Sequence, residues 1–122
     1  MPAFGDRGNP VHKFVEIRTY NIEPGQRDEF HVRMHEGMLP LLKKQAVDVV
    51  ACRASPQDEC SYYLIRAYDS IDHSKQSQET LYDSRAWKEG PREALLELID
   101  SYMSIIIEMD EVTIQGLRTP PS

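Results

Sequence analysis

Between residues 14 and 44 the apolar side chains change period, from every second position to every third or fourth, across a Glu23-Pro24-Gly25 break. That switch constrains the fold more than any other feature, because it defines a strand, a turn and a helix in immediate succession. On the strand, residues 13–22, side chains alternate, so Val15, Ile17 and Thr19 share one face while Phe14, Glu16, Arg18, Tyr20 and Ile22 share the other. Pro24 cannot donate to a ladder, and Gly25 tolerates the turn into the helix. On the helix, beginning near Gln26, the residues Phe30, Met34, Gly37, Met38 and Leu41 form one stripe. Pro40 lacks an N–H and would clash with the carbonyl four residues earlier, which predicts a kink or restart around residues 37–39.

The remaining chain completes a β-α-β-β-α-β order. Residues 47–54 and 61–68 are rich in β-branched and aromatic side chains and flank a turn-forming loop that contains Pro56, which predicts an antiparallel hairpin. A turn centred on Pro56 would set Cys52 opposite Cys60 within disulfide reach, although a cytosolic thiol pair normally stays reduced. Ser70 is a suitable cap for a short, weak helix or loop over residues 71–81. Asp83 or Ser84 caps a helix carrying Trp87, and Gly90-Pro91 breaks it, giving a bent helical zone over residues 84–100. Residues 103–114 read as the fourth strand. The domain is expected to span residues 13–115, between an N-terminal arm, 1–12, and an extended C-terminal tail, 116–122.

This order is that of an α+β, ferredoxin-like fold, with a four-stranded antiparallel sheet and both helices on one face. The other face is then bare. The expectation is that Phe14, Tyr20, Ile22, Tyr68 and part of residues 105–107 lie on it, forming an apolar patch that a second copy of the chain covers. Two sheets meeting in this way would enclose Glu16, Arg18, Tyr20, Arg66 and Tyr68, whose charges must be paired or hydrated.

Size and charge narrow the function. At 122 residues the chain fits one domain, with one site at most. Twenty acidic against fourteen basic residues, a net charge of −6, disfavour a nucleic-acid partner. No apolar run is long enough to span a bilayer and no leader pattern opens the sequence, so the expected location is cytoplasmic. Two cysteines do not make a disulfide scaffold or a zinc site.

The steps Val15-Glu-Ile-Arg-Thr-Tyr20, Pro24-Gly25, Gly37-Met-Leu-Pro-Leu41, Tyr68-Asp-Ser70 and Ala86-Trp87 together resemble the pattern of the NIPSNAP family. The resemblance spans residues 14–114. It implies membership of the wider dimeric α+β barrel superfamily, a homodimer whose two sheets close a barrel, and an activity that is poorly defined. Arg66, at a position often aromatic, and the Gly90-Pro91 break depart from that pattern.

Glu16, Arg18 and Tyr20 form the best chemical constellation, since period-two spacing aims all three into one space. Arg18 could bind a carboxylate or enolate, Tyr20 could donate a proton or hydrogen bond, and Glu16 could orient Arg18 or act as a base. A buried polar network fixing dimer register is the competing reading. Trp87 with Tyr63, Met34 and His35 could line a pocket between helix and sheet, or could be ordinary core. Arg66 and Tyr68 complete the set of candidate ligand-binding residues. His31 and His35 have the helical spacing of a metal pair but lack further ligands, so no metal is expected. No phosphate-binding loop, dinucleotide fingerprint or nucleophile elbow occurs, so no cofactor is expected either. The leading expectation is a homodimer binding a small anionic or aromatic organic molecule. A cofactor-independent oxygenase or isomerase, and a structural or adaptor dimer with a filled interior, stand as alternatives, and whether the chain is an enzyme is left open.

Overall fold

The computed structural model describes residues 12–118; the expected N-terminal arm and the end of the tail lie outside these. Strand β1, His12–Ile22, ends at a turn where Gly25 takes φ +79°, a conformation glycine adopts without strain. Helix α1, Arg27–Arg33, passes through a π turn, Met34–Met38, into α2, Leu39–Lys44. The π turn is the form taken by the irregularity expected ahead of Pro40, which sits in the first turn of α2, where its missing N–H is harmless. Gly37 lies in this turn, and a Cβ there would stand 3.1 Å from the Pro91 ring, so the small residue sets how closely the two helical layers approach.

Strands β2, Asp48–Ala54, and β3, Ser61–Tyr68, form the expected hairpin. Its register pairs Ala54 with Tyr62 and Cys52 with Leu64, so Cys60 falls in the loop and both cysteines are free thiols. The proposed Cys52–Cys60 facing pair is thereby corrected. The loop is held by Asp58, whose carboxylate accepts from the backbone N–H groups of Cys60 and Ser61 at 2.9 and 2.7 Å. From the helical side Arg27 donates to the carbonyls of Ser55, Asp58 and Ser61.

Residues 71–81, expected to be weakly helical at best, belong to a regular helix, α3, Ile71–Asp83, whose Ser70 cap accepts from His73 N–H at 2.9 Å. Ser84 caps α4, Arg85–Lys88, and after the Gly90-Pro91 break α5 covers Arg92–Leu96. The last strand, β4, runs Ile99–Asp110. It starts and stops earlier than the period suggested, because Asp110 accepts from Thr113 N–H at 2.7 Å and caps a helix, α6, Glu111–Leu117, where strand and extended tail were expected.

The four strands are ordered β2-β3-β1-β4, every neighbouring pair antiparallel, which is the ferredoxin-like arrangement. On one face α1–α5 cover a core of Tyr20, Ile22, Phe30, Met34, Leu42, Tyr62, Leu64 and Leu81. Each such side chain removed from water contributes about 1.5–3 kcal/mol. On the opposite face Ile114 of α6 packs over Val15, Val50, Ala51, Ile65 and Ala67, while Met103 and Ile105 remain 75% and 62% exposed. The sequence assignment of faces is therefore reversed for β1. Tyr20, Ile22, Glu16 and Arg18 lie beneath α1–α5, and Val15, Ile17 and Thr19 turn toward the opposite side, where α6 covers Val15. Among the described residues no helix is long and apolar enough to cross a membrane.

Candidate functional site

Cross-strand register builds the centre of the site. Glu16 on β1 stands opposite Arg66 on β3, and Arg18 follows two positions along β1, so all three point into the helical layer. Arg18 Nε and Nη2 donate to Glu16 Oε2 at 3.1 and 2.8 Å. Arg66 Nε donates to Oε1 at 2.8 Å, with Nη2 in ion-pair contact with the same oxygen. Glu16 and Arg66 are almost wholly buried, and Arg18 retains slight exposure. Burial opposes the charge of Arg66, but Tyr82 and Glu16 outweigh it and hold its pKa above the ordinary guanidinium value; Arg18 is raised as well, burial and the like charge of Arg66 opposing and Tyr82, Glu16 and Tyr20 outweighing them. Both arginines thus stay cationic. One carboxylate against two guanidiniums leaves this cluster with a surplus positive charge.

Helix α3 closes the cluster from above. Gln78 and Tyr82, one turn apart, face the arginines: Arg18 Nη2 donates to Gln78 Oε1 at 3.3 Å, and Nη1 of Arg18 and of Arg66 each donate to the Tyr82 hydroxyl at 3.2 Å. The Tyr82 ring is set edge-on against Trp87, centroids 5.2 Å apart. Beside the cluster lies a cavity of about 310 Å3, lined by Arg18, Tyr20, Phe30, Met34, Met38, Gln78, Tyr82, Trp87, Arg92, Leu95, Leu96, Ile99 and Tyr102. Its walls are aromatic and aliphatic with two cations among them, Arg18 and, paired with Glu93 at 2.7 Å, Arg92, the composition of a site for a small organic molecule. Arg18 also lies over the Tyr102 ring at 5.1 Å. A broader depression of about 600 Å3 near the strand ends, lined in part by Ile17, Thr19, Tyr63 and Met103, contains no charged side chain.

Of the residues singled out from the sequence, Glu16, Arg18 and Arg66 come together, and Tyr20 and Trp87 line the cavity. Tyr20 is buried, which pushes its hydroxyl pKa up and keeps it protonated. Tyr68 is buried near the arginines, its own pKa raised by burial. These residues lie inside one chain, between sheet and helices, and not between two sheets as expected. Tyr63 does not join them: it stands opposite Thr19 on the other face, against the Val15 cluster. Nor does His35, which is exposed and set at a tilt against His31, ring centroids 4.2 Å apart. His31 Nδ1 shares a 2.7 Å hydrogen bond with the Tyr62 hydroxyl, which in turn lies 3.6 Å from the Cys52 sulfur. Burial pushes the Cys52 thiol up to about 11, so it is not a nucleophile near neutral pH. Among the described residues no three or more His, Cys, Asp or Glu side chains are grouped to hold a metal ion. Sequence reasoning missed Gln78, Tyr82 and Tyr102; the signal was the spacing of Ser74, Gln78 and Tyr82, one polar stripe along a helix.

The NIPSNAP family model matches residues 15–109, which takes in β2, β3, most of β1 and β4, and the helices that close the cavity. The chain belongs to the NIPSNAP family. Solved structures with the same fold include an uncharacterized NIPSNAP domain protein from Burkholderia xenovorans, 21% identical, with a TM-score of 0.70 over 77% of this chain and 91% of that one. A NIPSNAP family protein with unknown function from Agrobacterium tumefaciens is 20% identical, with a TM-score of 0.75 over 82% of this chain and 90% of that one. A candidate antibiotic biosynthesis monooxygenase from Nitrosomonas europaea is 11% identical, with a TM-score of 0.61 over 81% of this chain and 90% of that one. No curated protein matches the chain. At these identities the likeness to the solved structures is one of fold.

Proposed function

We propose that this NIPSNAP chain is a homodimer in which each subunit binds a small organic anion with a flat aromatic body, in the cavity between sheet and helices. The observation that carries the reading is the pairing, in one space of about 310 Å3, of aromatic walls with a cation drawn from a cluster in which Glu16 offsets only one of two arginines. An anion entering there meets Arg18, already held in place by Glu16 and Gln78, so little side-chain freedom is lost on binding. A filled interior, expected of a purely structural dimer, is harder to reconcile with this space. An enzymatic role has the fold shared with the candidate monooxygenase as its support, and binding is the step it would require first.

The test is calorimetric titration with 2-naphthoate, a two-ring carboxylate. Wild type is expected to bind it saturably at one site per chain. Arg18→Ala is expected to weaken binding at least about tenfold, because a hydrogen bond to a charged group contributes about 1.5–3 kcal/mol. Absence of saturable binding, or equal binding by the variant, would refute the proposal.

A further inference from the structure

The hydrogen-bond inventory of Tyr82 goes a step further, and it rests on the anion-binding reading of the same cavity. A phenolic hydroxyl has two acceptor positions and a single hydrogen. Here Nη1 of Arg18 and Nη1 of Arg66 each donate to the oxygen, both at 3.2 Å, so the acceptor positions are taken. The hydrogen must then point away from both guanidiniums. Among the described residues none accepts it: Gln78 Oε1 receives Arg18, both Glu16 oxygens receive the arginines, and the buried Tyr68 hydroxyl makes no hydrogen bond with Tyr82. Tyr82 is half-buried and lines the cavity, and its ring is fixed by the edge-on contact with Trp87.

We infer that the Tyr82 hydroxyl is the hydrogen-bond donor that receives the ligand's anionic oxygen, so that the cavity selects carboxylates, phenolates or enolates on a flat apolar body over neutral molecules of the same shape. Two guanidiniums drawing on the phenolic oxygen strengthen its O–H as a donor, and Arg18 beside it supplies the complementary charge. Neutral ligands of equal size would fill the aromatic walls but leave this donor and the surplus charge unanswered. Tyr82 is a specificity residue in this account; Glu16 and Arg66 act through it and through Arg18 as positioning residues.

The experiment compares wild type with Tyr82→Phe, which keeps the ring against Trp87 and removes only the hydroxyl, using 2-naphthoate and the neutral 2-naphthalenemethanol as probes. Wild type is expected to prefer the carboxylate. In Tyr82→Phe the carboxylate affinity is expected to fall about tenfold or more, and that of the alcohol to change less than about twofold. Equal or tighter carboxylate binding by Tyr82→Phe, with wild type still binding it, would overturn the Tyr82 assignment and leave the anion-binding reading standing. A wild type that binds the alcohol as well as the carboxylate, or binds neither, would remove the reading itself and Tyr82 with it. Should Tyr82→Phe not fold, 3-fluorotyrosine at position 82 keeps every contact and makes the hydroxyl a stronger donor. Tighter carboxylate binding is then the supporting result, and unchanged or weaker binding the contrary one.

Discussion

Glu16 is the residue on which the polar centre turns. It is 1% exposed and receives Arg18 on one oxygen and Arg66 on the other. Buried charges are tolerated when each is paired, and removing one partner leaves the others without compensation in a medium that solvates them poorly. Glu16→Gln is therefore expected to destabilise the chain by about 3–5 kcal/mol, read as a lower urea midpoint at unchanged slope. The same substitution releases Arg18 from the carboxylate that holds it, so whatever folded protein remains is expected to bind 2-naphthoate more weakly than wild type. Weaker binding by the folded fraction would place Glu16 as a positioning residue, and unchanged binding would leave it a structural one. A stability cost below about 1 kcal/mol would mean that water, not the carboxylate, compensates the arginines.

At the scale of elements, the end of α2 contains a strained residue in an otherwise regular cap. Val47 N–H donates to Leu42 carbonyl at 2.9 Å and Ala46 N–H to Lys43 carbonyl at 3.1 Å, the double closure of a Schellman motif. The motif demands a left-handed residue, and Ala46 occupies it with φ 58°. A Cβ in that region costs about 1–2 kcal/mol, partly offset on replacement by the extra freedom glycine has when unfolded. Ala46→Gly is expected to stabilise the chain by about 1 kcal/mol, seen as a rise of a few degrees in Tm; a fall in Tm would contradict it. This cap could not be read from the sequence, since alanine gives no stop signal. The breaks at Pro24-Gly25, Pro40 and Gly90-Pro91 could, because a missing N–H or a permissive φ acts locally. The expected bounds of strand β4 differ at both ends: residues 111–114 continue its β-branched run, and only the Asp110 side chain, accepting from Thr113 N–H, converts them to helix. The chemistry of β1 was legible as a triplet, Glu16, Arg18 and Tyr20, but its direction was not. Charged side chains look as though they belong on the uncovered face, and what buries them is Arg66, arriving from β3 through a register that alternation alone does not specify. Tyr82 and Gln78 were hidden for a related reason: α3 is polar around most of its surface, and the stripe that meets the arginines is polar too.

For the molecule as a whole, the correction of faces moves the apolar surface without removing it. The side opposite the helices carries Val15, Ile17, Tyr63, Ile65, Ile107 and Met109, with Met103 and Ile105 most open to water. Helix α6 shields one end through Ile114 and leaves the β1–β4 portion bare, where Ile17 and Ile105 stand side by side. A patch of this kind is stabilised by meeting its own copy, since a two-fold axis matches each residue with a surface of the same character. The polar network no longer needs to be housed in such an interface, so the contact can be dry and simply packed. Wild type is expected to sediment as a dimer at micromolar concentration. Ile105→Lys should fold normally, because the position is exposed in one chain, yet weaken the dimer by about 100-fold or more: two symmetry-related side chains each withdraw about 1.5–3 kcal/mol of apolar burial and each bring a charge that resists desolvation. Because the cavity is built from one chain's sheet and helices, the monomeric variant should still bind 2-naphthoate. A wild type that stays monomeric across that range, or an Ile105→Lys dimer as tight as wild type, would show that this face meets water and not a second subunit.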